Sequence, residues 1–253
     1  MSRPLRIQYP GAWYHIMNRG GQKRDIFLND NDRKEFLKLL AESIEMWGIE
    51  IHAYSLMDNH YHLLVHTPEG NISRSMRHID GVYTQRFNIR HECDGHLFRG
   101  RYKSILIDKD NYLLEVLRYI HLQAVRANIV KQPGEHPWTS HWAYLHKKGG
   151  FPWLTTAYFL HMFNRKQTNT ARRLLDKFIK KGIPPEIEDF YSKERISPIL
   201  GSEEFIKNIR ERFLKDSEAF YEIPDSKFKK DRELIKLINQ VICNYYNISI
   251  QEL

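Results

Sequence analysis

His60 and His62 stand two apart in the run MDNHYHLLVHTPEG, residues 57–70, a segment that otherwise reads as a β-strand. Alternate side chains of a strand share a face, which sends Tyr61, Leu63 and Val65 toward a core and His60, His62, Leu64 and His66 the other way. The α-carbons of His60 and His62 would then lie about 6.5–7 Å apart, a separation from which two imidazoles can converge on one metal ion. Two ligands make a poor site, so a third oxygen or nitrogen donor has to come from elsewhere in the chain. Without one, the pair reads as two half-exposed histidines. His52, His66, His78 and His91 read as surface or packing residues.

A second chemical pair lies in NYLLEVLRYIHLQAVRANI, residues 111–129. Leu113, Leu117, Ile120 and Ala124 recur at helical spacing as a buried stripe, while Tyr119 and Gln123, four apart, project together from an adjoining face. If that face meets the histidine hairpin, the Gln123 amide oxygen can complete a set of metal ligands beside the Tyr119 phenol. If it does not, Tyr119 is a packing tyrosine and Gln123 a solvated one. A phenol with a pKa near 10 is a poor nucleophile at neutral pH and needs a nearby cation or base. Tyr112 is a rival nucleophile, but four residues on it has Val116, which cannot ligate, with Glu115 at three. No general base stands out.

The elements that must position these groups can be read from periodicity. AWYHIMN (12–18) is aromatic and β-prone, and the basic, glycine-containing RGGQKRDIF follows as a loop. Phe36, Leu37, Leu39, Leu40, Ile44 and Trp47 predict a helix over Asp32–Trp47, with Gly48 at its C-cap. IEIHAYSLM and YHLLVHT form two strands around the turn pair Asp58-Asn59. Ile72, Met76, Ile79, Val82, Tyr83 and Phe87 predict a second helix, HLFRGRYKSILID a fourth strand, and Asp108 an N-cap for a helix over Lys109–Ile129. The order β-α-β-β-α-β-α predicts an α+β fold: a ferredoxin-like four-stranded antiparallel sheet with helices on one side and the last helix added. A mostly helical C-terminal region follows.

Composition narrows the class. The 253 residues, 42% hydrophobic and 28% charged, can bury a real core. With 39 Lys+Arg against 31 Asp+Glu, the net charge of +8 favours a polyanionic partner. Cys93 and Cys243 lie far apart and form no CxxC pair, so neither a disulfide framework nor a cysteine-rich zinc site is indicated. The N-terminus lacks a signal peptide's apolar segment, and no run of about eighteen apolar residues would span a membrane, so a cytoplasmic protein is expected.

LMDNHYHLLV, GHLFRGRYKSILID and YLLEVLRYIHLQAVRANIV together resemble the HUH single-tyrosine transposases, IS200-like enzymes, and within them the branch associated with repetitive extragenic palindromes. The likeness covers roughly residues 5–146, and His60-Tyr61-His62 supplies the His-hydrophobic-His signature. It implies that His60, His62 and Gln123 bind a divalent cation, Mg²⁺ or Mn²⁺, and that Tyr119 is the nucleophile. It implies cleavage of single-stranded DNA beside hairpins, through a 5′-phosphotyrosine and a free 3′-hydroxyl. The helix of that branch usually reads His-Leu-Asn-Pro, whereas here it is His121-Leu122-Gln123-Ala124, which keeps an amide oxygen. Expected DNA contacts are Arg19, Lys23 and Arg24 in the first loop, Arg74 and Arg77 on the second helix, and Arg99, Arg101, Tyr102 and Lys103 on the fourth strand. Each reads alternatively as a solvated basic residue.

Two other classes fit part of the pattern. A non-catalytic nucleic-acid-binding sheet would need neither the histidine pair nor Tyr119 with Gln123. A replication initiator or relaxase of the same chemistry would often carry paired tyrosines or a third histidine. The catalytic domain is expected over residues 1–148 and the helical region over 149–253. In the latter, Asp231–Tyr245 reads as an amphipathic helix, faintly resembling a DnaA-like helix-turn-helix, and Ser249 and Glu252 form a capping box for a helix that the chain does not reach. Monomer and homodimer are both compatible.

Overall fold

The computed structural model describes residues 6–147 and 150–214. Strand β1 (Ala12–Arg19) leads to helix α1 (Asp30–Trp47), and strands β2 (Glu50–Met57) and β3 (His60–Thr67) form a hairpin. Helix α2 (Ile72–Arg90), strand β4 (Lys103–Ile107), helix α3 (Lys109–His121) and the single turn α4 (Gln123–Arg126) follow. The later elements are α5 (His141–Leu145), α6 (Ala157–Phe163), α7 (Thr168–Ile179), α8 (Pro185–Ser192), β5 (Ile199–Leu200) and α9 (Glu203–Leu214). No described helix is long and apolar enough to cross a membrane.

The sheet order is β2-β3-β1-β4-β5. Its first four strands are antiparallel and have the predicted ferredoxin-like arrangement, while β5 adds a short parallel strand beside β4. Alternation divides the side chains as expected. Tyr14, Ile16, Tyr61 and Leu63 face α1 and α2, where Phe36 packs on Phe27, Tyr61 and Tyr83 at ring separations of 4.8–5.4 Å. The opposite face is not open. Trp13, Leu64 and Ile105 are buried there with Leu113, Leu117 and Ile120 of α3, and with Phe159, Leu175 and Ile187 from α6, α7 and α8. Both faces of the sheet are therefore covered, where one covered face and an added helix were expected. His60 and His62 point into this second apolar layer.

Caps fix the helix ends. Asn29 and Asp32 form a capping box at the start of α1, and Gly48 ends it in the left-handed region at φ 61°, which glycine adopts without a Cβ penalty. Asp108 caps α3 as predicted, and also accepts hydrogen bonds from the Asn111 amide and from the Ser202 N–H and hydroxyl. Two elements are shorter than periodicity suggested. The helix expected over Lys109–Ile129 breaks at Leu122, although no glycine or proline stands there. The strand expected from His96 begins only at Lys103. Residues 96–101 instead form a loop tied to the first loop, through Gly21 N–H to the Leu97 carbonyl at 3.1 Å and the Arg24 side chain on the Leu97 and His96 carbonyls.

Ile7–Ile206 pack as one unit, so residues 150–206 share a core with the sheet. The second unit comprises the two chain ends, of which Arg6 and residues 207–214 are described; there Arg212 lies over the Phe213 ring at 5.2 Å. The C-terminal amphipathic helix, the capping box and Cys243 lie outside the described residues.

Candidate active site

Strand β3 sets His60 and His62 side by side with ring centroids 5.1 Å apart. Each imidazole has one nitrogen engaged. His60 Nδ1 donates to Asn59 Oδ1 at 2.7 Å, and His62 Nδ1 meets His15 Nε2 at 2.8 Å. His15 comes from β1, which pairs with β3 so that Met17 opposes His62 and His15 opposes Leu64. Its other nitrogen, Nδ1, lies 2.6 Å from the Tyr191 hydroxyl of α8. The result is a buried chain, His62–His15–Tyr191, in which the proton positions are linked. When His62 Nδ1–H donates to His15 Nε2, His15 Nδ1–H donates to Tyr191 Oη, and the His62 Nε2 lone pair is free.

Burial makes these imidazoles neutral. It pulls His15 down to about 3 and His62 well below the ordinary histidine value, with the neighbouring His15, His60 and Arg126 reinforcing the effect on His62. His60 falls to about 4 through burial and the Arg19 charge, with Asp58 opposing. A neutral imidazole whose second nitrogen is already hydrogen-bonded is the form in which histidine ligates metals.

Tyr119 sits against the same pair. Its ring centroid is 5.8 Å from His15 and 6.0 Å from His62, and it stacks on Tyr191 at 3.8 Å with an 18° interplanar angle. Arg126, the last residue of the turn α4, donates from Nη1 to Tyr119 Oη at 3.2 Å and lies over the ring at 4.9 Å. An ion pair with Glu188 of α8 holds that guanidinium in place. Burial raises the Tyr119 phenol above its ordinary value, while the Arg126 charge and hydrogen bonds from Gln123 and Arg126 oppose the rise. The Gln123 amide nitrogen also donates to the Tyr119 carbonyl at 3.0 Å, which leaves the amide oxygen for a cation. The residues present thus fit a divalent ion: two neutral, hydrogen-bonded imidazoles and one uncommitted amide oxygen. Tyr112 is placed elsewhere. It donates to Glu186 Oε1 at 2.5 Å, and that carboxylate, aided by burial, pushes its phenol up to about 12.

The expected DNA contacts divide by location. Arg19 opposes His60 across the β1–β3 ladder, and the Arg99 N–H bonds the Arg19 carbonyl at 2.9 Å. Lys23 and Arg24 share the loop that bonds the Asp58-Asn59 turn, so Arg19, Lys23, Arg24 and Arg99 all stand exposed at the His60 end of the sheet. Arg101 and Lys103 are exposed at the start of β4. Arg74 and Arg77 are exposed as well, but near the N-terminus of α2. That helix follows the far end of β3, about 23 Å along the strand from His60, so they do not join the cluster. Tyr102 is only 7% exposed, which turns its ring inward and removes it as a stacking platform.

Three residues of this constellation escaped sequence reading. Arg126 carried a legible signal, its seven-residue spacing from Tyr119. His15 required the β1–β3 register, and Tyr191 lies 72 residues beyond Tyr119 with no local pattern to link them.

Residues 8–123 match the family model described as "Transposase IS200 like". Among solved structures, the chain resembles a REP-associated tyrosine transposase bound to a REP hairpin, at 19% identity over 60% of this chain and 89% of that one, with a TM-score of 0.49. It also resembles a candidate transposase of Deinococcus radiodurans R1, at 19% identity over 49% of this chain and 98% of that one, with a TM-score of 0.34. No curated protein sequence matches. The matched segment runs from before β1 to Gln123 and holds the histidine pair and Tyr119. Residues 8–123 therefore belong to the IS200-like transposase family, a family of DNA-cleaving and rejoining enzymes.

Proposed function

We propose that the chain is a metal-dependent endonuclease and strand transferase that cuts single-stranded DNA beside palindromic hairpins, with Tyr119 as nucleophile. The observation that carries the proposal is the Tyr119 phenol, set against His62 and His15, held at its oxygen by Arg126 and followed four residues later by Gln123. The hairpin substrate follows from the resemblance of the sequence motifs over residues 5–146.

Tyr119 Oη bonds to the scissile phosphorus as the P–O3′ bond breaks. The phenolic proton departs, the leaving 3′-oxygen gains one, and a 5′-phosphotyrosine remains. Because the covalent bond conserves the energy of the broken one, attack by a second 3′-hydroxyl reverses the step and joins strands without a nucleotide cofactor. Arg126 stabilises the phenolate that develops on Tyr119, the role a fixed cation fills best in a water-poor site. A divalent cation on His60, His62 and Gln123, Mg²⁺ or Mn²⁺, supplies Lewis-acid polarisation of the phosphate when bound. The exposed Arg19, Lys23, Arg24 and Arg99 lie where a phosphate backbone entering at the His60 end would meet positive charge.

The test mixes wild-type protein and Tyr119→Phe with labelled hairpin DNA carrying single-stranded flanks, in Mn²⁺ or EDTA, and resolves the products on a denaturing gel. A metal-dependent covalent adduct in wild type and none in the variant supports the reading. Bound substrate with neither adduct nor cleavage under any metal overturns it in favour of a non-catalytic binding protein. An adduct that survives in the variant moves the nucleophile to another residue.

A further inference from the structure

We propose that Glu50, His52 and His66 form a second metal site, suited to Zn²⁺, at the opposite end of the sheet from His60 and His62. His66 lies four residues beyond His62 on β3, about 13 Å along the strand, so the two sites share no ligand. Glu50 and His66 are direct cross-strand partners, and the ligand atoms of the three residues all lie within 4.8 Å of one another. His66 Nδ1 is 2.8 Å from Glu50 Oε2, and His52 Nε2 is 3.4 Å from the same oxygen. In a tetrahedral zinc site with bonds of about 2.0–2.1 Å, neighbouring donor atoms stand about 3.3–3.4 Å apart, so small side-chain rotations suffice. Two imidazoles with one carboxylate are a common zinc ligand set, and the half-exposed Glu50 leaves a fourth position to water.

The surroundings are built to hold these side chains still. The β2–β3 ladder shifts register between Ile51 and Ala53, and His52 is the bulged residue without a cross-strand partner. The backbone is pinned on both sides of that bulge, by Thr155 N–H on the Ile51 carbonyl at 3.0 Å and by Tyr144 Oη on the His52 carbonyl at 2.7 Å. Trp13 stacks on His66 at 4.6 Å and lies 4.5 Å from the His52 ring, and Tyr158 and Phe159 close the other side of His52, each at 5.7 Å. Sequence reading left His52 and His66 as surface or packing residues. Packing is how they are fixed, but both present a nitrogen to one carboxylate. A metal there would tie the edge strand β2 to β3.

The test uses untagged full-length chain, stripped of metal, carrying His60→Ala and His62→Ala so that the first site is disabled. Zn²⁺ competition against a chromophoric chelator is expected to give one ion per chain. Adding Glu50→Gln or His66→Ala should weaken that binding at least about tenfold. In the otherwise wild-type chain, Glu50→Gln, at a half-exposed position, should lower the zinc stoichiometry by one, which keeps the test decisive should a histidine variant fail to fold. Zinc at a hundredfold excess over Kd should raise the melting temperature by about 5–11 °C. Absence of stoichiometric binding in the doubly substituted chain together with an unchanged count in Glu50→Gln overturns the proposal, as does zinc binding that neither Glu50→Gln nor His66→Ala weakens.

Discussion

Tyr191→Phe separates what the buried His62–His15–Tyr191 chain does for stability from what it does for chemistry. The substitution removes one hydroxyl, 2.6 Å from His15 Nδ1, and keeps the ring stacked at 3.8 Å on Tyr119. His15 is fully buried, so its Nδ1 is left unpaired, at a cost of about 1–3 kcal/mol. For a domain of this size that lowers the melting temperature by about 2–12 °C. The second consequence is chemical. Without an acceptor at Tyr191, His15 favours the tautomer with its proton on Nε2, which then donates to His62 Nδ1 and places the His62 proton on Nε2, the nitrogen a cation needs. Removing such an orienting partner typically costs 10–100-fold in metal affinity. Thermal melts of the metal-free chain measure the first effect, and the Mn²⁺ concentration for half-maximal DNA adduct measures the second. A variant that melts lower but keeps the wild-type Mn²⁺ dependence would refute the tautomer argument, and an unchanged melting temperature would refute the hydrogen bond itself.

Other outcomes follow from the same geometry. Arg126→Ala removes the cation donating to Tyr119 Oη, and single-turnover adduct formation should slow by about 10²-fold, with Arg126→Lys recovering part of the loss. Asp32, fully buried, accepts from Arg90 at 2.8 Å, from His91 at 2.9 Å and from the Leu28 N–H at 2.9 Å. Burial alone would raise its carboxyl, but those hydrogen bonds hold it below the ordinary 3.8. A carboxyl held lower in the folded chain stabilises above its unfolded value and loses that contribution as pH falls below it. Melting temperature should therefore drop below about pH 4 more steeply in wild type than in Asp32→Asn, which should itself cost about 1–3 kcal/mol at pH 7. Gly20→Ala would place a Cβ 2.0 Å from the Arg24 carbonyl oxygen, so the first loop must move. A loss of about 1–3 kcal/mol is expected by denaturant unfolding, together with weaker binding of single-stranded DNA, because Lys23 and Arg24 ride on that loop.

What the sequence made legible was local. The spacing of Phe36, Leu37, Leu39 and Leu40 ending at Gly48 specifies α1, and the two strands flanking Asp58-Asn59 specify the hairpin. From the order of elements the ferredoxin-like pairing follows. The misread elements fail for local reasons too. HLFRGRYKSILID carries aromatic and β-branched residues in strand-like proportion, yet its first half is a loop, because its backbone bonds mostly to the Gly20–Arg24 loop and meets β1 only at its last residue, Arg19, instead of forming a continuous ladder. Tyr102 turns inward in consequence.

The site divides along the same line. The His60–His62 pair lies within one strand, where a period of 2.0 puts both members on one face, and the Tyr119–Gln123 pair, which spans the break at Leu122 between α3 and α4, keeps the local four-residue spacing that sequence reading used. His15 reaches His62 across 47 residues only through the β1–β3 register, and a slip of one residue would turn it toward α1 and α2. Tyr191 reaches His15 across 176 residues only because α8 packs on the second face of the sheet. Reacting groups thus sit where local spacing can place them, as does Arg126 beside Tyr119, whereas His15 and Tyr191, which set the His62 tautomer, arrive through long-range packing. A substitution that loosens α8 without touching Tyr119, His60 or His62 should therefore impair the chemistry while leaving every locally encoded residue in place.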